Sequence, residues 1–344
     1  MDRTRGRAGG PGGWSSNLRH LITGGAGFVG SHLADKLAGR GDEVTLLDDL
    51  STGNIENVEG LLAGGRARLI VESADDPAVV DELIASADTC FHLASSVGVK
   101  LIVERPLDCT LRNVRATDVV MAAGARHRTR LLFTSTSEVY GKCNGHPLHE
   151  HDDRIVGSPA VSRWSYATTK AFGEILAHEY TREHGARMTV ARLFNAVGPR
   201  QASAYGMVLP RLVRQALGGE DLTVYGDGSQ SRCFTHVRDT IDALVDLIDT
   251  DAAIGNVYNV GSSDQTTILD LATRVLERTG SSSRISLVPY EEAYSAGFEE
   301  LGNRRPDCSA IERLVGWRPR RSVDDAIDDV IAGMTAAPRV RVAA

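Results

Sequence analysis

The stretch RHLITGGAGFVGSHLADKLAGRGDEVTLLDD, residues 19–49, decides the fold. Apolar residues up to Thr23 read as a strand, a glycine-rich turn follows, a helix runs from about 27 to 40, and EVTLLD at 43–48 reads as a second strand. Gly25, Gly27 and Gly30 form a GxGxxG, nested with a GxxGxxG that begins at Gly24. Such a turn between strand and helix lets backbone N–H groups reach the pyrophosphate of a dinucleotide. Asp48 ends the second strand 18 residues after Gly30, where a carboxylate can bind both hydroxyls of a ribose. Asp49 and Leu50 follow it, so no adjacent cation would welcome a 2′-phosphate, and NAD is favoured over NADP.

Working outward, ARLIV at 67–71, TCFHLA at 89–94, RLLFTS at 130–135 and MTVARL at 188–193 repeat the short apolar run, with helical stretches between most of them. This alternation predicts an α/β fold, a doubly wound parallel sheet of the Rossmann type. After Gly198 the rhythm breaks into mixed pieces: GMVLPRLVRQALGG and VRDTIDALVDLID as helices, and LTVYG as a strand. The expected organisation is a disordered tail at 1–17 and a dinucleotide-binding domain at 18–193, joined by a returning segment at about 226–260. A smaller mixed α/β lobe is expected from 194–225 and 261–336, with a frayed end at 337–344.

The segment SYATTK carries the chemistry. Tyr166 and Lys170 are four residues apart, which on a helix puts phenol and ammonium on one face. A cation there draws the phenol down from its ordinary pKa of about 10, making a base for an alcohol proton. With the glycine turn, this predicts alcohol oxidation by a nicotinamide cofactor. The plainer reading of such a pair is a solvated helix face, yet only four of the 38 cations are lysines. Thr136, in TSTSEVYG at 134–141, offers a hydroxyl beside the tyrosine; Glu138 is expected at the carboxyl edge of the sheet over the nicotinamide, its plainer role being to pair with an arginine. Arg232 and the pair Arg304 and Arg305 are candidates for anion recognition. His92 reads as a packed strand-end residue, and no histidine is assigned a metal.

Net charge is −7 and mean hydropathy −0.16, so nothing global favours nucleic acid or an anionic membrane. No apolar run approaches the roughly 18 residues of a membrane span. The five cysteines, at 90, 109, 143, 233 and 308, contain no CxxC pair; a reducing cytoplasm fits them best.

Taken in order, TGGAGFVGSHL, TSTSEVYG, YATTK, RLFNAVGPRQ and YGDGSQSRCFTHVRD resemble the extended short-chain dehydrogenase/reductases that act on nucleotide sugars. IVGSPAVSRWSYATTK, SRCFTHVRD and the segment around Arg304 are most similar to UDP-glucuronate decarboxylases. The resemblance implies a catalytic set of Thr136, Glu138, Tyr166, Lys170 and Arg304. It implies NAD held by Gly24, Gly27, Phe28, Val29, Gly30, Asp48, Asn54, Leu93, Ala94, Tyr166 and Lys170. It implies a UDP-sugar held by Ser137, Asn195, Arg200, Val224, Tyr225, Arg232 and Arg304, no metal, and a homodimer formed through the two long helices. Two positions depart from the family pattern: Ser73 stands where an acidic residue near adenine is frequent, and Arg305 where lysine is common, so either arginine could face the sugar. The implied reaction is C4 oxidation of UDP-glucuronate, loss of CO2, and release of a UDP-4-keto-pentose, UDP-xylose or both. A nucleotide-sugar 4-epimerase is the first alternative, disfavoured by Glu138. A 4,6-dehydratase is the second, disfavoured by Ser137 where the dTDP type has an acid; a catalytically silent NAD sensor is disfavoured by the intact Thr136, Tyr166 and Lys170.

Overall fold

A computed structural model describes residues 17–96, 105–142, 146–202, 207–289 and 303–336. The expected tail, apart from Asn17, the frayed end and Cys143 lie outside the described residues. Seven strands form one parallel sheet: β1 (Arg19–Thr23), β2 (Glu43–Leu47), β3 (Ala67–Ile70), β4 (Thr89–His92), β5 (Arg130–Thr136), β6 (Met188–Leu193) and, after the small-lobe strand β7 (Leu222–Tyr225), β8 (Val257–Val260). Their spatial order is β8-β6-β5-β4-β1-β2-β3. The order reverses between β1 and β4, which opens a crevice at the carboxyl ends of the strands.

Successive side chains point to opposite faces of a strand, and both faces here are apolar. Ile22, Leu46, Phe91, Leu132, Ala191 and Val260 pack on one face against α1 (Phe28–Gly39). Leu21, Leu47, Cys90, Leu131, Phe133 and Val190 pack on the other, against α2 (Pro77–Ser86), α3 (Pro106–His127) and α4 (Ser165–His184). Helix boundaries follow local chemistry: Asp76 caps α2 by accepting from Ala78 N and Val79 N at 2.9 and 3.1 Å, and α4 stops at Gly185 in the left-handed conformation, φ +61°.

In the second half of the chain α5 (Val208–Gly218), β7, α7 (Ile268–Thr279) and α9 (Val323–Ala336) enclose a separate core of Leu209, Leu212, Leu222, Leu271, Val275 and Ile327. Between them, α6 (Val237–Asp249) and β8 return to the large sheet, where Val237, Ile241, Leu244 and Leu247 join its core. Ile311, on α8 (Ser309–Val315), and Trp317 also bury into that large core, although their stretch was expected in the small lobe. The Trp317 indole N–H donates to Asp239 O at 3.0 Å, which fixes the crossing. Just before it, Arg305–Pro306 pairs with Pro147–Leu148 and brings Arg304 to the end of β5.

Candidate active site

The glycine turn is packed to the limit of what a backbone allows. Gly24 has φ +71°, and a Cβ on it would stand 2.8 Å from Ala94 N; a Cβ on Gly30 would meet Gly24 O at 2.1 Å. Gly27 precedes α1 without any side-chain cap, so the first N–H groups of a 12-residue helix are left for an anion. A cleft of about 790 Å³ opens here, lined by all nine dinucleotide residues expected outside α4: Gly24, Gly27, Phe28, Val29, Gly30, Asp48, Asn54, Leu93 and Ala94. That size suits a dinucleotide. The apolar Phe28, Val29, Leu93 and Ala94, the bare helix end and the terminal carboxylate form a donor set that fits NAD.

Asp48 does more than was read from its position. Its Oδ2 accepts from Ala26 N and its Oδ1 from Leu50 N, each at 2.9 Å, so the carboxylate also ties the glycine turn to the loop after β2. Burial pushes its carboxyl up, against the pull of those N–H groups. Asp49, Ser73, Asp75, Arg112 and Asn113 complete the wall. Asp75 supplies an acid two residues beyond Ser73. Arg112 and Asn113 were missed because their helix meets the cleft only in three dimensions. Arg112 reaches Asp49 at 3.0 Å, and Asn113 Oδ1 accepts from Ser96 N at 2.7 Å.

Next to the cleft, β5 and α4 position the reactive side chains. Thr136 ends β5, and its Oγ1 accepts from Glu138 N at 3.3 Å. Tyr166 is buried on α4 and shares a hydrogen bond with Ser95, from the loop after β4. The expected lowering of the phenol pKa is corrected. Burial, and then the charge of Glu138, push the phenol up instead. Lys170 Nζ donates to Thr134 O at 2.9 Å and lies 4.8 Å from the centre of the Phe133 ring. Its own burial pushes the ammonium down to about 7. His92 is a packed strand-end residue as expected: it is buried, bonded to Thr23 Oγ1 at 2.8 Å, stacked on Phe133 and pushed down to about 3 by burial.

Glu138 forms a two-pronged ion pair with Arg163, at 2.5 and 2.9 Å. Both Arg163 and Arg304 are buried, and Arg304 Nη1 donates to Ser137 Oγ at 3.0 Å. Arg163 first, then Arg304 and Arg232, hold the Glu138 carboxyl below its usual range against the desolvation that opposes them. Of the two candidate arginines, Arg304 is the one that meets the Thr136–Glu138 segment; Arg305 lies in the short strand beside Pro147–Leu148. Arg163 stood in the quoted RWSYA without being singled out. Its burial, which would have marked it, is not visible in sequence.

Other expected substrate residues are distributed differently. Asn195, at φ +36°, donates to Cys233 O at 3.0 Å and ties the end of β6 to the strand bearing Arg232. The Val224 side chain is fully buried in the small-lobe core, so only its backbone is left to meet a ligand. The Tyr225 ring lies 4.3 Å below the Arg211 guanidinium. Arg200, expected with the substrate, lines the cleft and pairs with Asp35 of α1 at 2.7 Å.

Residues 20–261 match the NAD dependent epimerase/dehydratase family. The chain is 40% identical over 314 residues to the UDP-N-acetyl-alpha-D-glucosaminuronate decarboxylase of Bacillus cytotoxicus, covering 91% of this chain and 96% of that protein. It is 36% identical to UDP-glucuronic acid decarboxylase 1 of Danio rerio, covering 91% of this chain and 72% of that protein. Among solved structures, it is similar to a UDP-glucuronic acid 4-epimerase from Bacillus cereus in complex with UDP-glucuronic acid and NAD, with a TM-score of 0.83, 27% identity, and 92% and 99% of the two chains covered. The matched range spans most of the chain, and these relatives cover about nine-tenths of it: the chain belongs to the NAD dependent epimerase/dehydratase family of short-chain dehydrogenase/reductases.

Proposed function

We propose that the protein is an NAD-dependent decarboxylase of UDP-glucuronate. The observation that carries this reading is the buried Arg304, hydrogen-bonded to Ser137 between the catalytic hydroxyls and the Glu138–Arg163 pair. A buried guanidinium at the end of β5, next to the segment that carries Thr136, is chemistry suited to a sugar carboxylate.

Tyr166 takes the C4 hydroxyl proton, directly or through Thr136. NAD, held by the glycine turn, Asp48 and Lys170, supplies the two-electron acceptor for C4 and later the returning hydride. With a ketone at C4, the C5 carboxylate belongs to a β-keto acid. Its C–C bond breaks, CO2 leaves, and the electron pair passes onto the C4 oxygen as an enolate. Thr136 and Tyr166 donate to that oxygen as its charge grows. Protonation at C5 gives UDP-4-keto-pentose, and reduction at C4 gives UDP-xylose. Arg232 and Arg304 orient the anionic groups of the substrate throughout.

Exposed Leu107 and Leu111 on α3 and Phe172 and Ile175 on α4 support a homodimer built on these helices. Among the described residues no helix is long and apolar enough to cross a membrane, and Cys90, Cys109, Cys233 and Cys308 are free thiols, in keeping with a reducing cytoplasm. The test is to incubate NAD-loaded protein with UDP-glucuronate, UDP-N-acetylglucosaminuronate, UDP-glucose and dTDP-glucose, and to follow CO2 and product mass. CO2 from UDP-glucuronate with a pentose product is expected. CO2 only from the N-acetylated uronate would move the substrate to that sugar. UDP-galacturonate without CO2 would replace decarboxylation by epimerisation.

A further inference from the structure

Arg163 precedes the candidate base by three residues, in the turn Ser162–Trp164 that leads into α4. Its two terminal nitrogens meet the two carboxylate oxygens of Glu138 at 2.5 and 2.9 Å, and it is 5% exposed. Buried, two-pronged pairing of this kind fixes a carboxylate in orientation and in charge. From the structure we infer that Arg163 is a positioning residue of the reaction: by engaging both oxygens of Glu138 it keeps that carboxylate off Arg304 and offsets its charge at Tyr166. This deepens the decarboxylase reading, on which it rests.

The groups that act on this pair come from every neighbouring element. Arg304, ahead of the strand Arg305–Pro306, and Arg232, on the strand Ser231–Cys233, attract the Glu138 carboxylate from the small-lobe side. Tyr166 follows Arg163 by three residues in α4, and Lys170 lies one turn further along on Thr134 O. Glu138 makes ionisation of Tyr166 harder, and Arg163 makes it easier. Without Arg163, a carboxylate already enclosed by protein would turn to Arg304, the cation that here is bonded to Ser137 at 3.0 Å. One substitution would then disturb both the base and the seat of the sugar carboxylate.

Arg163→Gln, Arg163→Lys, Glu138→Gln and the double variant Arg163→Gln/Glu138→Gln test this through the pH profile of kcat/KM. The single Gln variant at 163 should move the acid limb to higher pH, losing about tenfold in rate below the limb for each unit of displacement. Glu138→Gln should move it to lower pH, and the double variant should return it close to wild type. Arg163→Lys, which keeps charge but not the fork, should leave the limb near wild type while kcat for CO2 release falls. An unmoved limb in Arg163→Gln, with only a lower unfolding temperature, would overturn the inference, as would a double variant displaced as far as the single. Should Arg163→Gln fail to fold, the Lys and double variants carry the same comparison. If wild type releases no CO2 from any uronate, the decarboxylase reading fails; the limb can still be followed by reduced-nicotinamide absorbance with UDP-glucose, so the two failures are distinguishable.

Discussion

Replacing Arg304 with Ala separates decarboxylation from simple oxidation. Arg304 is 4% exposed, so its interactions are scarcely screened by solvent, and its bond to Ser137 at 3.0 Å fixes where the guanidinium points. A hydrogen bond from such a group to a carboxylate contributes roughly 1.5–3 kcal/mol. At about 1.4 kcal/mol per factor of ten, kcat/KM for a UDP-uronate should fall roughly ten- to hundredfold. Oxidation at C4 of UDP-glucose, which has no carboxylate at C5, loses none of that interaction and should change by less than about threefold. The assay measures CO2 from UDP-glucuronate and, in single turnover, reduced nicotinamide formed from UDP-glucose, with circular dichroism as the control for folding. Equal losses on both substrates would refute the reasoning, because they would mark Arg304 as a support of the fold or of the base. Arg304→Lys should recover part of the uronate rate while missing the planar fork.

Three further outcomes are expected. Tyr166→Phe should abolish turnover yet retain NAD after gel filtration, since the cleft residues lie elsewhere; activity within tenfold of wild type would exclude the phenol as base. For the wild type, kcat/KM should climb with pH through its acid limb, because burial and Glu138 raise the Tyr166 pKa and the protonated phenol is inactive; a rate that falls over that range would show the sign to be wrong. Asp48→Ala should weaken NAD binding by at least about tenfold, since it removes ribose contacts and frees Ala26 N and Leu50 N together, and titration by fluorescence quenching would detect unchanged affinity if this is mistaken.

Six of the seven strands of the large sheet were legible because each is a short, mostly apolar run; Val257–Val260 was not, because Asn259 interrupts its run and it was read only as part of a returning segment. Gly24, Gly30 and Asp48 were legible for the same local reason: turn, close approach and carboxylate follow one another within one βαβ unit. Arg112 and Arg163 were not, because a cation on a helix or turn looks the same in sequence whether it is solvated or aimed into a cleft. The face that Val224 presents was not legible either: a β-branched residue in a predicted strand gives no sign of it, and its side chain joins the core. The Tyr166 phenol was misjudged because helical spacing reveals neither its burial nor the opposing charge of Glu138. Spacing determines proximity; desolvation and neighbouring charges determine ionisation.

That distinction bears on how one scaffold can serve epimerases, dehydratases and decarboxylases. All begin by oxidising C4, so the Thr136, Tyr166 and Lys170 arrangement does not choose among them. The choice falls to what surrounds C5 after the ketone forms. Decarboxylation carries negative charge away from the carboxylate toward the C4 oxygen, so a cation that merely grips the carboxylate stabilises the ground state and slows the step. A productive site must therefore orient that group without trapping its charge, while hydrogen-bond donors wait at C4. In the proposed site Glu138 and Arg163 together add no net charge, and Arg304 is anchored to Ser137. Thr136 and Tyr166 stand at the end of β5 and the start of α4, where the electrons arrive. The difference between holding the carboxylate and releasing it thus rests on the geometry of a few arginines around one glutamate, set on a frame that is common to the whole family.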